Sequence, residues 1–264
     1  MTAIAHAGGV YRRSIVAQLR AIVEYPADFW IMAASGAFWQ ILQFAFLSVL
    51  FSQVPVLAGW AFPEMLMLAG FLGLAAGANA LLSDGAWSTG SMVIKGDMDY
   101  RITRPAPVLI QVASAHIGMQ GVGEFALGTA MLVYGWIAAG VSPAFIPAAV
   151  LFVACAAAIN LGLVTAACGA NFWIKGTGSY IAFLLVDLQG KTMSMPLKIF
   201  PFGVKAFVTF VVPLAFVNFV PVEVLTGRAS TWWIVGPPLA AVFSIGLAAL
   251  VYRAGLRAYD SAGH

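Results

Sequence analysis

Apolar residues come in continuous runs of about 20, broken by short polar or proline-rich stretches, rather than in the alternating pattern of strands. A run of that length matches the ~30 Å hydrocarbon core of a bilayer at 1.5 Å per helical residue. Strands of a membrane barrel would alternate over about 10 residues. The pattern predicts an all-α polytopic membrane protein with six crossings near 29–51, 63–82, 118–140, 145–170, 172–188 and 232–252. Ahead of them, 10–26 has helical periodicity, with Tyr11, Ile15, Leu19 and Ile22 on one face and Arg13, Arg20 and Glu24 opposite. Arg12 breaks the apolar face and has to snorkel. Tyr25-Pro26 favours a break, so 10–26 is expected as a helix lying in the membrane interface.

Two stretches break the rhythm. Residues 93–111, VIKGDMDYRITRPAPVLIQ, form a charged island: Lys95, Asp97, Asp99, Arg101 and Arg104 fall within ten residues of a chain that is only 9% charged. Gly96 and Arg104-Pro105 punctuate it, predicting an ordered loop with an apolar back at 108–112. Residues 189–230 are apolar over 207–219 but cut by Pro196, Pro201, Pro213 and Pro221. A full extra crossing there would put the C-terminus on the opposite side. A hairpin that enters and leaves the outer leaflet is the expectation, lining or capping a cavity, because irregular backbone at that depth needs protein or water around it.

Charge then sets the orientation. Nine of the 13 Lys and Arg residues fall on one side if both termini are cytoplasmic: Arg12, Arg13, Arg20, Lys95, Arg101, Arg104, Lys175, Arg253 and Arg257. Lys191, Lys198, Lys205 and Arg228, in the proline-rich segment, are the minority against that placement. The net charge of +3 is thereby explained by membrane topology, without nucleic acid. Cys155 and Cys168 share one apolar run and read as buried free thiols. The first apolar run is too long for the core of a signal peptide.

Little in the chain suggests catalysis. The nearest approach to a phosphate-binding loop, Gly190-Lys191-Thr192, has Leu185 where the first glycine is required. No HExxH or CxxC spacing occurs, and His6, His116 and His264 have no sequence-near partners. Glu124 and Asp187 fall within predicted crossings, where a charge at mid-bilayer costs ~2.5–3.5 kcal/mol. Each is expected to face the bundle interior or water, as a contact for a solute or as a paired structural carboxyl. Asn79 and Asn160 read as interhelical hydrogen-bond partners. Gly73 and Gly77, and the small residues Ala154, Ala158, Gly162 and Ala166, permit close helix packing. The charged island is either a solvated connector or a docking element for a soluble partner.

Several stretches together carry a resemblance to the permeases of ABC-type exporters, the ABC-2 family. They are the Gly59-Trp60 turn with Glu64 behind it, IKGDMDYRITRPAPVLIQ at 94–111, PLKIFPFGVKAFVTFVVPLAFVNFVPVEVLTGR at 196–228, and GLRAYDSAG at 255–263. In the island, Gly96, Met98, Asp99, Ile102, Arg104 and Pro105 follow the family's order, with Asp97 where Glu is commoner. The resemblance implies a transport subunit that is not itself an enzyme and binds no cofactor, ATP and magnesium being held by a separate ATP-binding subunit. It implies a second permease, identical or related, as the other half of the pathway in a bacterial inner membrane. Lys95, Gly96, Asp97, Asp99, Arg101, Arg104 and Pro105 would then couple to the ATPase, and 10–26 would be the elbow helix. Glu124, Asp187 and, in the outer hairpin, Asn218 are the candidates for the translocation pathway. An ATP-independent channel or secondary transporter is the alternative.

Overall fold

A computed structural model describes residues 3–174 and 176–260, without the side chains of 3–7 and 21–23. Lys175 and His264, and the side chains of His6, Ile22 and Val23, therefore lie outside the described residues. Helix α1 (Ala3–Glu24) stops before Pro26, which opens α2 (Pro26–Gln53). A two-residue hairpin, β1 (Val56–Leu57) and β2 (Trp60–Ala61), turns through Ala58 and Gly59, both at positive φ. It leads into α3 (Phe62–Ser83). A 3₁₀ turn, Asp84–Ser88, then connects to three short helices, α4 (Thr89–Ile94), α5 (Asp97–Ile102) and α6 (Val108–Ala113). Helices α7 (Gln120–Ala138), α8 (Ile146–Gly169) and α9 (Tyr180–Met193) follow. Short pieces including α10 (Phe202–Ala206), a π turn over Phe207–Val211 and α11 (Phe219–Leu225) precede the closing α12 (Gly236–Arg257).

Among the described residues, five helical segments are long and apolar enough to cross a membrane: Pro26–Gln53, Phe62–Ile94, Gln120–Ala138, Pro143–Phe172 and Thr231–Arg257. They match five of the six expected crossings. The crossing expected at 172–188 takes a different form. After a 3₁₀ turn ending at Phe172, helix resumes only at Tyr180 and runs 14 residues to Met193, about 21 Å. Gly176 and Gly178 disfavour helix. The connection is also pinned: Asn171 Nδ2 donates to Ser179 Oγ at 2.8 Å, and Ser179 Oγ donates to the carbonyl of Trp87 at 3.2 Å.

Helix α3 is the axis of the bundle, buried over most of its length. Its partner α7 approaches backbone to backbone. A Cβ on Gly70 would fall 2.6 Å from the Leu132 nitrogen, and one on Gly77 would fall 2.8 Å from the Gly121 carbonyl. The Gly73/Gly77 pair expected to allow close packing thus belongs to a longer glycine seam, continued on α7 by Gly121 and Gly128. Helix α8 packs between α3 and α12, and α2 leans on α7 through Ala33 and Gly36. Cys155 and Cys168 are free and buried in α8.

The bundle has two distinct ends. At one, the knob end, lie α1 and α4–α6 together with the tail of α12. Tyr11 donates to the carbonyl of Leu82 at 2.8 Å and Gln18 to that of Ser114 at 2.8 Å. The face that α1 turns to the protein is therefore Tyr11, Ser14, Ile15 and Gln18, whereas Val16 and Leu19 stay exposed. This differs from the apolar stripe read in the sequence, because its Leu19 is left for the surroundings. At the other, the hairpin end, sit β1–β2 and the pieces from Leu197 to Val235.

Candidate functional site

The charged island folds as a compact knob. Helices α4 and α5 are too short to persist alone, and what holds them is a buried side chain. Met98, fully buried, packs among Met92, Val93, Val112, Phe172 and Tyr252, with Leu256 and Tyr259 of the tail against them. Gly96 makes the sharp joint between α4 and α5 at φ 77°, a left-handed conformation that favours glycine. Gln111 closes the far side. Its Nε2 donates to the carbonyls of Arg101 and Ala106 at 2.9 and 2.8 Å, and its own carbonyl accepts from Arg101 Nη1 at 3.0 Å.

The seven island residues consequently split. Lys95, Asp97, Arg104 and Pro105 are exposed, and the Arg104 guanidinium lies 3.8 Å over the ring of exposed Tyr100. Gly96 and Arg101 shape the knob. Asp99 is half-buried beside Tyr259, whose hydroxyl is pushed above its usual range, first by burial and then by the carboxylates of Asp99 and Asp97. The knob is tied to the bundle through Thr89. The Thr89 hydroxyl donates to the Ala86 carbonyl at 2.6 Å, so the buried Tyr252 hydroxyl, also 2.6 Å away, donates to it.

At the hairpin end, the Gly59-Trp60 turn and Arg228 come together across the sequence. Arg228 Nε donates to Glu64 Oε1 at 2.9 Å, Nη2 to Glu64 Oε2 at 2.6 Å, and Nη1 to the Gly59 carbonyl at 2.8 Å. Glu64 also accepts from the Ala61 amide at 2.8 Å, capping α3. The guanidinium lies 4.9 Å from the centre of the fully buried Trp60 ring.

The three pathway candidates are dispersed. Asn218 is fully buried and donates to the carbonyls of Leu68 and Met193 at 3.1 and 2.8 Å, tying the proline-rich segment to α3 and to the end of α9. Asp187 is exposed on α9 and bonded to Lys191 one turn on, at 2.6 Å. Glu124 lies in the second turn of α7, toward the knob end rather than at the middle of its helix, and borders a polar cavity of about 350 Å³.

That cavity lies between α3, α7, α8 and α9, with Asp84 and Trp87 of the 3₁₀ turn also lining it. Asn160 of α8 donates to Gln189 of α9 at 3.2 Å across one side. Asp84 is 3.6 Å from His116 and accepts from Gln120 at 3.5 Å. Glu124 has neither a hydrogen-bond nor an ion-pair partner among the described residues. Buried Asn79 Oδ1, Gln120 Oε1 and Gln189 Nε2 are also unpartnered. Sequence reasoning missed Asp84, Gln120 and Gln189, since each sits at or beyond the end of a predicted crossing. The available signal was the spacing of Gln120 and Glu124, four residues apart and so on one helix face.

Fold and site together define a multi-pass helical membrane protein with a charged, outward-facing knob. The sequence model of the family described as ABC-2 family transporter protein matches residues 37–263, and the chain belongs to that family. It is thus an ABC-type permease subunit, a membrane component of transport and not itself the catalytic part, from a family that normally pairs with ATP-binding subunits. No curated protein and no solved structure matches it.

Proposed function

We propose that this chain is the permease of an ATP-driven exporter, half of a dimeric pathway in a bacterial inner membrane, with both termini cytoplasmic. Separate ATP-binding subunits would dock on the knob. The observation that carries this reading is the knob itself: Met98 anchors it from behind, while Lys95, Asp97, Tyr100 and Arg104 are left facing outward. A solvated connector has no use for so firm a back. In this reading the proline-rich segment is a hairpin capping the outer leaflet, and α9 is the sixth crossing, completed by that hairpin. Outward apolar side chains on α2 (Trp30, Trp39 and Phe46) and α9 (Tyr180 and Phe183) suit contact with lipid or with the second permease.

The geometry supports a route from motor to solute. Knob movement would pass through α4 into the Asp84–Ser88 turn, which also forms part of the cavity lining. The Thr89–Tyr252 bond carries the same displacement to α12, and the Ser179–Trp87 bond carries it to the start of α9. Alternating access then requires that ATP and solute each bind the two end states with different affinity. To test this, the tagged chain is purified from native membranes and its ATPase activity compared with that of Arg104→Glu. Co-purification of an ATP-binding subunit, with binding or stimulation lost in the variant, is the expected result. A chain that emerges alone, without nucleotide-dependent activity, overturns the reading and favours a channel or secondary transporter.

A further inference from the structure

The cavity beside Glu124 is unusual for what it lacks. Two carboxylates, Asp84 and Glu124, border it, and no Lys or Arg does. Among the described residues, His116 is the basic side chain paired with either of them: its side chain is 57% exposed and lies 3.6 Å from Asp84. Alongside the carboxylates, the amide oxygens of Asn79 and Gln120 are buried without a donor, and at the Asn160 side the Gln189 amide nitrogen is buried without an acceptor. Asn79 itself is only 7% exposed. A buried acceptor left unpaired is destabilising, and an uncompensated carboxylate is more so. The rest of the lining includes apolar Ala76, Ala80 and Val186.

These features select among ligands. An anion would be repelled by both carboxylates. A neutral polyol would satisfy the amides and leave the charge. A quaternary ammonium would neutralise charge but has no N–H to give the amide oxygens. We infer that the cavity takes the protonated amine of an amphipathic molecule, its N–H groups shared among Glu124, Asp84 and the amide oxygens of Asn79 and Gln120, its apolar body lying toward Ala76, Ala80 and Val186. As a statement about cargo this rests on the exporter reading, and it assigns that exporter the class of amphipathic amines. The volume of about 350 Å³ suits a headgroup and the first part of its apolar body, at the small end of ligand sites.

The test is calorimetry on the full chain in lipid nanodiscs, with benzylammonium, benzyltrimethylammonium and benzoate as probes of similar shape. Benzylammonium is expected to bind saturably, about tenfold more tightly than the quaternary probe, with no saturable binding of benzoate. Glu124→Gln should weaken benzylammonium by at least about tenfold, and Asn79→Leu by several-fold. A second arm needs no variant. A hydrophobic carbodiimide should modify Glu124 of the unaltered protein, read by mass spectrometry of its peptides, and benzylammonium but not benzoate should slow that reaction. Absence of saturable amine binding overturns the inference. So do equal affinity for the quaternary probe, binding that survives Glu124→Gln, and Glu124 labelling that benzylammonium leaves unchanged. All of this is measured without nucleotide or partner, so a failed ATPase-docking assay leaves the result standing, and a failure here leaves docking untouched.

Discussion

The knob end and the hairpin end both bring together segments far apart in the chain, yet they use charge in opposite ways. At the hairpin end the charges turn inward. Arg228 reaches back to Glu64 and Gly59 across more than 160 residues, and its guanidinium stacks near Trp60. At the knob end an apolar side chain does the holding: Met98 gathers α4, α6, α8's end and the C-terminal tail, and the charges point out. An ion pair with both partners spent on each other has nothing left for a visitor. A knob fixed by methionine leaves the Arg104 guanidinium and the Lys95 ammonium on its outer surface.

The sharpest way to break this comparison is Met98→Ala. Removing a fully buried methionine should cost about 3 kcal/mol. The loss should appear as a lower midpoint in thermal unfolding in detergent and as fast hydrogen exchange over 94–105. Next comes Glu64→Ala or Arg228→Ala, each expected to cost about 2 kcal/mol because the pair is only partly desolvated, with side chains 13% and 29% exposed. A double-mutant cycle between them should return most of that cost as coupling, and a coupling near zero would refute the inward lock. Thr89→Val, which keeps the shape but removes the acceptor for Tyr252, should cost about 1 kcal/mol by the same unfolding assay.

Lys95→Ala and Arg104→Ala should sit at the small end for stability, within about 0.5 kcal/mol of the parent. Their effect should appear instead in retention of an ATP-binding subunit, and Arg101→Ala should reverse that order by loosening the knob first. Glu223 offers a fine adjustment at the hairpin end. Burial raises its carboxyl above the ordinary value of 4.5, with Lys198 and Arg228 pulling against the rise. Folding therefore favours the protonated form, whose stabilising contribution is full below that ordinary value and fades as pH climbs through the raised one. Glu223→Gln should flatten that part of the stability-against-pH curve.

Much of this was legible in the sequence where a single physical demand dominated. Long apolar runs located five spanning segments, although the second, Phe62–Ile94, runs well past the end expected at 82, and prolines marked the broken stretch before α12. The glycine at 96 and the arginine–proline at 104–105 bounded the knob. Its back was harder to read. Met98 stands in the family's motif, but nothing local marks it as an anchor, because its neighbours Leu256 and Tyr259 lie more than 150 positions away. The start of α9 was misplaced because Phe172–Ile174 continues the apolar run, whereas the glycines beyond it and the Asn171–Ser179 bond dictate a break. The polar cavity was the least legible. Its residues come from four helices and a turn, each contributing one or two amides or acids that look incidental along the chain.

The glycine seam between α3 and α7 also acts as a gasket. At Gly70 and Gly77 the opposing backbone leaves no room for a methyl group, and a water molecule, ~1.4 Å in radius, is no smaller an obstacle. At those two positions water has no room either, so α3 and α7 are sealed to each other by main chain rather than by side chains that could swing aside.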